Sequence, residues 1–172
     1  PEHDVHDDSV TTAFHHDATN ALCSVTLPNG AIYSVEHDAD GRVAAYTGPD
    51  GAAWRLRWGG YNCVHTLEKP TGEALRFRYD REGQLVQIVN ERGETHRIER
   101  DCGGRIVAET FFDGRTYRYQ LDAAGRLARH ENGTGERTEV GRDACGRVLR
   151  RAYDDGTADA FEYDAAGRLV RA

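Results

Sequence analysis

Apolar residues return to the same places along this chain every 21 positions. Counting from Asp17 and its equivalents, the fifth residue of each cycle is always apolar: Leu22, Val43, Val64, Leu85, Ile106, Leu127, Val148 and Leu169. The sixth (Cys23, Ala44, His65, Val86, Val107, Ala128, Leu149, Val170) is nearly so, and the eighteenth is Val35, Leu56, Phe77, Ile98, Tyr119, Val140 or Phe161. Polar residues flank the eighteenth, as Arg76 and Arg78 flank Phe77 and Arg97 and Glu99 flank Ile98. Alternation with period two predicts a half-buried β-strand, and each cycle holds two of them, of roughly six residues.

Between the strands the chain is punctuated just as regularly. Asp17, Asp38, Asp80, Asp101, Asp122, Asp143 and Asp164 open the cycles, with Gly59 in the one slot that lacks Asp. Three residues on stands Asn20, Gly41, Asn62, Gly83, Gly104, Gly125, Gly146 or Gly167, and thirteen residues on stands Gly30, Gly51, Gly72, Gly93, Gly114, Gly135 or Gly156. Gly and Asn tolerate a left-handed backbone best, so two turns per cycle are required. An Asp-Gly, Asn-Gly, Thr-Gly or Arg-Gly turn then joins two strands into one β-hairpin per repeat. A fixed period of this size marks a repeat protein, stabilised by stacking each unit on its neighbours. Leucine-rich repeats share the period, but their spaced leucines are missing.

Composition agrees with an extended β array. Only 38% of the 172 residues are hydrophobic, while Gly numbers 19 and Pro 4. No stretch approaches the ~18 apolar residues of a membrane span. The net charge is −7, concentrated in residues 1–50 (net −8) and nearly balanced afterwards (net +1). That acidity disfavours a nucleic-acid partner. The later arginines alternate with acids along strands, which predicts cross-strand ion pairs on a wet face.

Candidate chemistry is sparse. Cys23, Cys63, Cys102 and Cys145 occupy four different places in the repeat and form no C-x-x-C pair, so they read as incidental reduced thiols. The opening His3, Asp4, His6, Asp7, Asp8, His15, His16 and Asp17 has the ligand types for a divalent metal, although such tracts are more often solvated, and no metal or other cofactor is expected. The recurring Asp reads as a turn cap in preference to a catalytic acid. Arg42, Arg105, Arg126, Arg147 and Arg168 read as partners of the neighbouring Asp ladder in preference to an anion groove. Trp54, Trp58 and Tyr61 are expected to fill the space that Gly59 and Gly60 leave, or else to stack on a sugar ring. No nucleophile triad, phosphate loop or dinucleotide fingerprint is present, and an enzyme is not expected.

The cycle carries a resemblance. Tyr79-Asp80-Arg81-Glu82-Gly83-Gln84-Leu85 and Tyr163-Asp164-Ala165-Ala166-Gly167-Arg168-Leu169 resemble the Y-D-x-x-G-R-L core of the YD-repeat, or Rhs (rearrangement hotspot), family. Looser copies begin at Asp38, Asp101, Asp122 and Asp143, and the resemblance covers residues 17–172. Two departures stand out. The Tyr before Asp is replaced by His16, His37, Trp58, Arg100, Leu121 and Arg142, and no D-P-x-G pair, the self-cleavage signal of Rhs shells, is present. Gly59, Asn62 and Cys63 make the third unit the expected irregular turn.

That family includes bacterial polymorphic toxins of the Rhs type, insecticidal toxin complexes and animal teneurins. The resemblance implies an all-β array of about eight 21-residue hairpins forming a curved, open antiparallel β-strip, a segment of a spiral shell. It implies a non-catalytic role in enclosing a toxin domain held in the bacterial cytoplasm before export, with type VI secretion as a common route. The implied partners are the remaining repeats or the toxin cargo of a parent polypeptide, with self-association through open strand edges as a further route. A glycan-binding or adhesive repeat surface is the alternative reading. The expected layout is an acidic, His-rich extension over 1–16 and a repeat array over 17–172, its last repeat incomplete. The face of Val35, Leu56, Phe77, Ile98, Tyr119, Val140 and Phe161 is expected to be the inner one. The absence of Met and the end at Ala172, eight residues past Asp164, are expected of a piece of a longer polypeptide. About fifteen strands ~4.8 Å apart span roughly 70 Å, a ring only ~23 Å across, whereas a ~100-residue cargo is ~34 Å wide. Such a piece would enclose cargo only together with further repeats.

Overall fold

Most runs of alternating residues become strands of five or six residues, because the turns on either side reverse the chain before a longer strand can form. The structure, a computed structural model, describes residues 11–172. Residues 11–77 and 78–172 cluster as two units. The first holds β1 (Ala13–His16), β2 (Leu22–Thr26), β3 (Ile32–His37), β4 (Val43–Thr47), β5 (Ala53–Trp58), β6 (Val64–Glu68) and most of β7 (Ala74–Tyr79). Its single helical segment is a 3-10 turn at Gly60–Asn62. The second holds β8 (Leu85–Val89), β9 (Thr95–Arg100), β10 (Ile106–Thr110), β11 (Thr116–Leu121), β12 (Leu127–Glu131), β13 (Arg137–Arg142), β14 (Val148–Tyr153), β15 (Ala158–Ala160), β16 (Glu162–Tyr163) and β17 (Leu169–Arg171). Strand order in the open antiparallel sheet is chain order from β1 to β15, and β16 pairs with β17 separately. Residues 13–16, placed in the extension by the sequence pattern, form β1 and pair with β2.

The turns differ from the two-residue hairpin loops that Asp-Gly and Asn-Gly favour. Gly30 N–H donates to Leu27 O at 2.9 Å while Leu27 N–H donates to Ala31 O at 2.9 Å, which closes a three-residue loop, and the Asp turns repeat the scheme (Gly41 to Asp38 at 3.0 Å, Asp38 to Arg42 at 2.8 Å). A two-residue loop of the favoured type needs two consecutive positive φ angles. Here the residues before the glycines, such as Asn29 and Asp50, stay outside the left-handed region, and only the Gly enters it (φ 80° at Gly30, 78° at Gly51).

A second feature explains why two adjacent columns are apolar. Across six Asp turns and the Gly59 turn the register skips one residue: His37 pairs with Val43 and Glu36 with Ala45, leaving Ala44 as a β-bulge. Cys23, His65, Val107, Ala128, Leu149 and Val170 are skipped in the same way. A bulge places two residues opposite one and interrupts the alternation, so the fifth and sixth positions escape the period of two.

Register then divides the sheet into two chemically distinct faces. Paired residues share a face. One carries Val25 with Tyr33, Val35 with Tyr46, Tyr46 with Trp54, Leu56 with Leu67, and Leu67 with Leu75. The other carries Ser24 with Ser34, Ala45 with Arg55, Thr66 with Arg76, and Arg129 with Glu139. Among the described residues only Ala45 (5% exposed) and Ala108 (7%) are buried, and no large side chain is. Fully burying a large apolar side chain contributes about 1.5–3 kcal/mol, and the described residues contain none of these. Stability within each unit rests on the backbone ladder, the turns and cross-strand pairs of about 0.2–1 kcal/mol each.

Candidate functional site

The Asp turns are the densest polar constellation. One carboxylate oxygen caps the loop: Asp122 Oδ1 accepts from the N–H of Ala124 and Arg126, both at 2.9 Å, and Asp17, Asp38, Asp80, Asp101 and Asp164 do the same two and four residues on. Asp143 Oδ1 accepts from Arg147 N–H at 2.9 Å. The second oxygen takes the arginine of its own loop, with Nε to Oδ2 distances of 2.8 Å for Arg42, Arg105, Arg126 and Arg168 and 2.6 Å for Arg147. These arginines therefore pair within one turn, four residues apart, and not with the Asp of a neighbouring repeat. The three-residue loop brings the two side chains together on one edge. Arginine hydrogen bonds hold Asp38, Asp101 and Asp143 below the ordinary carboxylate range, and backbone N–H donation does so first for Asp122 and Asp164. Carboxylates so engaged are poor proton donors at neutral pH.

The glycine turns have a comparable cap, supplied from either of two places. Asn90 and Asn132 open their loops and accept from Glu94 (2.9 Å) and Glu136 (3.0 Å). In four of the loops where that residue is not Asn, the one before the glycine takes over: Asn29, Asp50, Asp113 and Asp155 accept from Ala31, Ala52, Arg115 and Thr157. The same amide of the cycle is satisfied in these six loops, a role split across two columns and so invisible in either.

Contacts between repeats sit on the same edge. Trp58 Nε1 donates to Val43 O at 2.7 Å and Tyr163 Oη to Val148 O at 3.0 Å. Arg100 and Arg142 reach Leu85 O and Leu127 O, both at 3.4 Å. In four repeats the residue before the Asp or Gly59 thus meets the carbonyl beside the bulge of the preceding repeat. Tyr, Trp and Arg are interchangeable there because each carries a donor at the end of a long side chain, so the ladder is one of donors and not of aromatics. Arginines also bridge forward. Arg42 lies over Trp58 (5.6 Å) and Arg147 over Tyr163 (5.1 Å). A Cβ placed on Gly146 would lie 2.6 Å from Arg126 Nη1.

The third unit is irregular, as Gly59, Asn62 and Cys63 predict. Tyr61 (φ 57°) and Asn62 (φ 55°) are both left-handed. Of Trp54, Trp58 and Tyr61, expected to fill the space that Gly59 and Gly60 leave, Tyr61 does not. Tyr61 is 74% exposed, and the space beside Gly59 belongs to the His65 imidazole, which a Cβ there would strike.

On the apolar face of the second unit, Glu109 is flanked by Tyr119 Oη at 3.0 Å and His96 Nε2 at 3.3 Å. The His96 nitrogen is buried and not aligned for a hydrogen bond. His96 stacks on Phe111 (4.7 Å), and His130 on both Tyr117 (5.7 Å) and Tyr119 (5.5 Å). Burial first, then the Glu109 carboxylate, pushes the Tyr119 phenol up to about 12. Cross-strand ion pairs lie on the polar face: Arg57 with Glu68 (2.8 Å), and Arg118 (3.2 Å) and Arg137 (2.8 Å) with Glu131.

Cys23, Cys102 and Cys145 carry no disulfide, and the Cys23 thiol donates to His15 O at 3.3 Å. Among the described residues no three His, Cys, Asp or Glu groups are arranged to hold a metal, and no helix is long and apolar enough to cross a membrane. His3, Asp4, His6, Asp7 and Asp8 lie outside the described residues.

A one-layer antiparallel sheet of in-register hairpins, edged by Asp-capped and arginine-locked turns, defines a YD/Rhs-type repeat. The model of the teneurin YD-shell family matches residues 29–172, and the chain belongs to that family. Among solved structures, the TcdB2-TccC3-Cdc42 crystal structure matches with TM-score 0.80 at 14% identity, over 96% of this chain and 10% of that one. The Photorhabdus luminescens Tc holotoxin pore with a mutated TccC3 matches with TM-score 0.72 at 12% identity, over 93% and 12%. TcdB2-TccC3 without its hypervariable C-terminal region matches with TM-score 0.55 at 15% identity, over 92% and 11%. The chain thus spans about a tenth of these toxin chains. No curated protein matches it.

Proposed function

We propose that this chain is a stretch of shell wall that helps enclose a toxin domain in a bacterial Rhs-type polymorphic toxin exported with its parent polypeptide, and that it performs no catalysis itself. The observation that carries this reading is the one-layer sheet with opposite faces, apolar through Tyr46, Trp54, Leu56 and Leu67 and polar through Arg55, Thr66 and Arg76, with no large side chain buried among the described residues. A sheet that buries nothing large in itself is suited to separating two environments. The Asp carboxylates are consumed by caps and arginines, which favours scaffolding over acid-base chemistry. The likeness to chains named as parts of Tc toxin complexes supports the same role.

Containment acts by excluding proteases and by many weak contacts. In the parent polypeptide, a toxin domain flanked by these repeats should resist trypsin under conditions that degrade the same domain expressed alone. Equal digestion rates would remove the shell reading.

A further inference from the structure

A row of arginines crosses the polar face of β11 to β14, and one of them has no carboxylate. Arg118 and Arg137 share Glu131, and Arg129 pairs with Glu139. Arg150 has Gly141 opposite it on β13 and Ala160 on β15, and it makes no ion pair among the described residues. Gly141 stands where other repeats carry Glu36, Glu99 and Glu162, and Glu162 pairs with Arg171 across the strand at 3.5 Å. Replacing that carboxylate by hydrogen opens a depression of about 410 Å³ lined by Gln120, Arg129, Glu139, Gly141 and Arg150. Room exists at its floor, since a Cβ on Gly141 would meet nothing nearer than Arg150 Cβ at 3.7 Å. Arg129 Nε is buried without a hydrogen-bond partner.

We propose that this depression binds a carboxylate, seated where the Gly141 column elsewhere supplies one. The Arg150 guanidinium offers a planar fork that matches two carboxylate oxygens, with Arg129 Nε and the Gln120 amide as further donors. Glu139, already paired with Arg129, opposes a doubly charged group such as phosphate, so a single carboxylate is favoured. Two sources share this chemistry, a small organic acid and an acidic side chain of an apposed polypeptide.

The test titrates the full chain with acetate and, separately, with a blocked tripeptide carrying a central glutamate, followed by backbone amide shifts. Saturable shifts centred on Arg129, Gly141 and Arg150 are expected. Arg150→Gln should weaken binding about tenfold or more, the loss expected when a charged hydrogen-bond donor is removed. Gly141→Glu should abolish it by supplying the carboxylate internally. Gly141 has no left-handed φ, so that variant should fold, which its melting curve checks. Arg151→Gln, which alters the residue stacked over Phe161, should bind like the parent. Saturation by the peptide assigns the source to a polypeptide, and saturation by acetate alone assigns it to a free acid. Failure of both probes to saturate, or unchanged binding by Arg150→Gln and Gly141→Glu, would overturn the proposal.

Discussion

Trp58 donates its indole N–H to the carbonyl of Val43, 15 residues earlier and at the bulge of the preceding repeat, at 2.7 Å. Tyr163 and Val148 repeat the contact one edge position at a time, as do Arg100 with Leu85 and Arg142 with Leu127. A bulge locally disrupts the ladder, and the side-chain donor restores a bond there.

Removing the donor while keeping the ring tests this directly. Trp58→Phe should lower stability by about 1 kcal/mol, the usual net value of one hydrogen bond. Trp58→Tyr, which restores a donor, should recover most of it. Urea unfolding measures both, and a Phe variant as stable as the parent would show that packing alone matters at this position.

The capping role of Asp122 separates from its arginine pairing. Asp122→Asn retains the Oδ1 acceptor and loses the ion pair, which solvent screens at this exposed site, so its urea midpoint should fall only slightly. Asp122→Ala also removes the acceptor of the Ala124 and Arg126 amides and should lower the urea midpoint clearly more than Asn does. Equal destabilisation by Asn and Ala would place the whole effect in the ion pair.

Gly146 and Gly30 share a left-handed backbone, with φ of 92° and 80°, but differ in surroundings. Alanine at either should cost about 1–2 kcal/mol for its conformation. Gly146→Ala should cost more, because its Cβ would press on Arg126 Nη1 whereas Gly30 has open space. Adding Arg126→Ala should cancel that excess, and a double-mutant cycle with no coupling would exclude the contact.

Acid sensitivity follows from the turns. The folded-state pKa values of Asp38, Asp101, Asp122, Asp143 and Asp164 lie below the ordinary 3.8. A depressed acid contributes stability that is complete above its unfolded pKa and is lost as pH falls through its folded one. Melting temperature should therefore hold down to about pH 4–5 and fall progressively below it. Replacing all five by Asn should flatten that decline, and an unchanged slope would sink the assignment.

The sequence by itself determined the period, the two strands per cycle, the turn positions and the odd third unit. These are local matters: Asp17 caps Thr19 and Ala21, and Gly30 turns its own loop, within four residues of chain. Tertiary structure decided the rest, because pairing across each Asp turn sets which side chains meet. The skipped residue at Ala44 explains two apolar columns in succession, and the reach of Trp58 to Val43 explains why Tyr, Trp and Arg interchange before Asp. Likewise the His65 ring beside Gly59 and the gap facing Arg150 depend on which residue lies across the sheet. Spacing along a chain encodes a repeat, whereas the value of each position in it depends on neighbours that only register brings together.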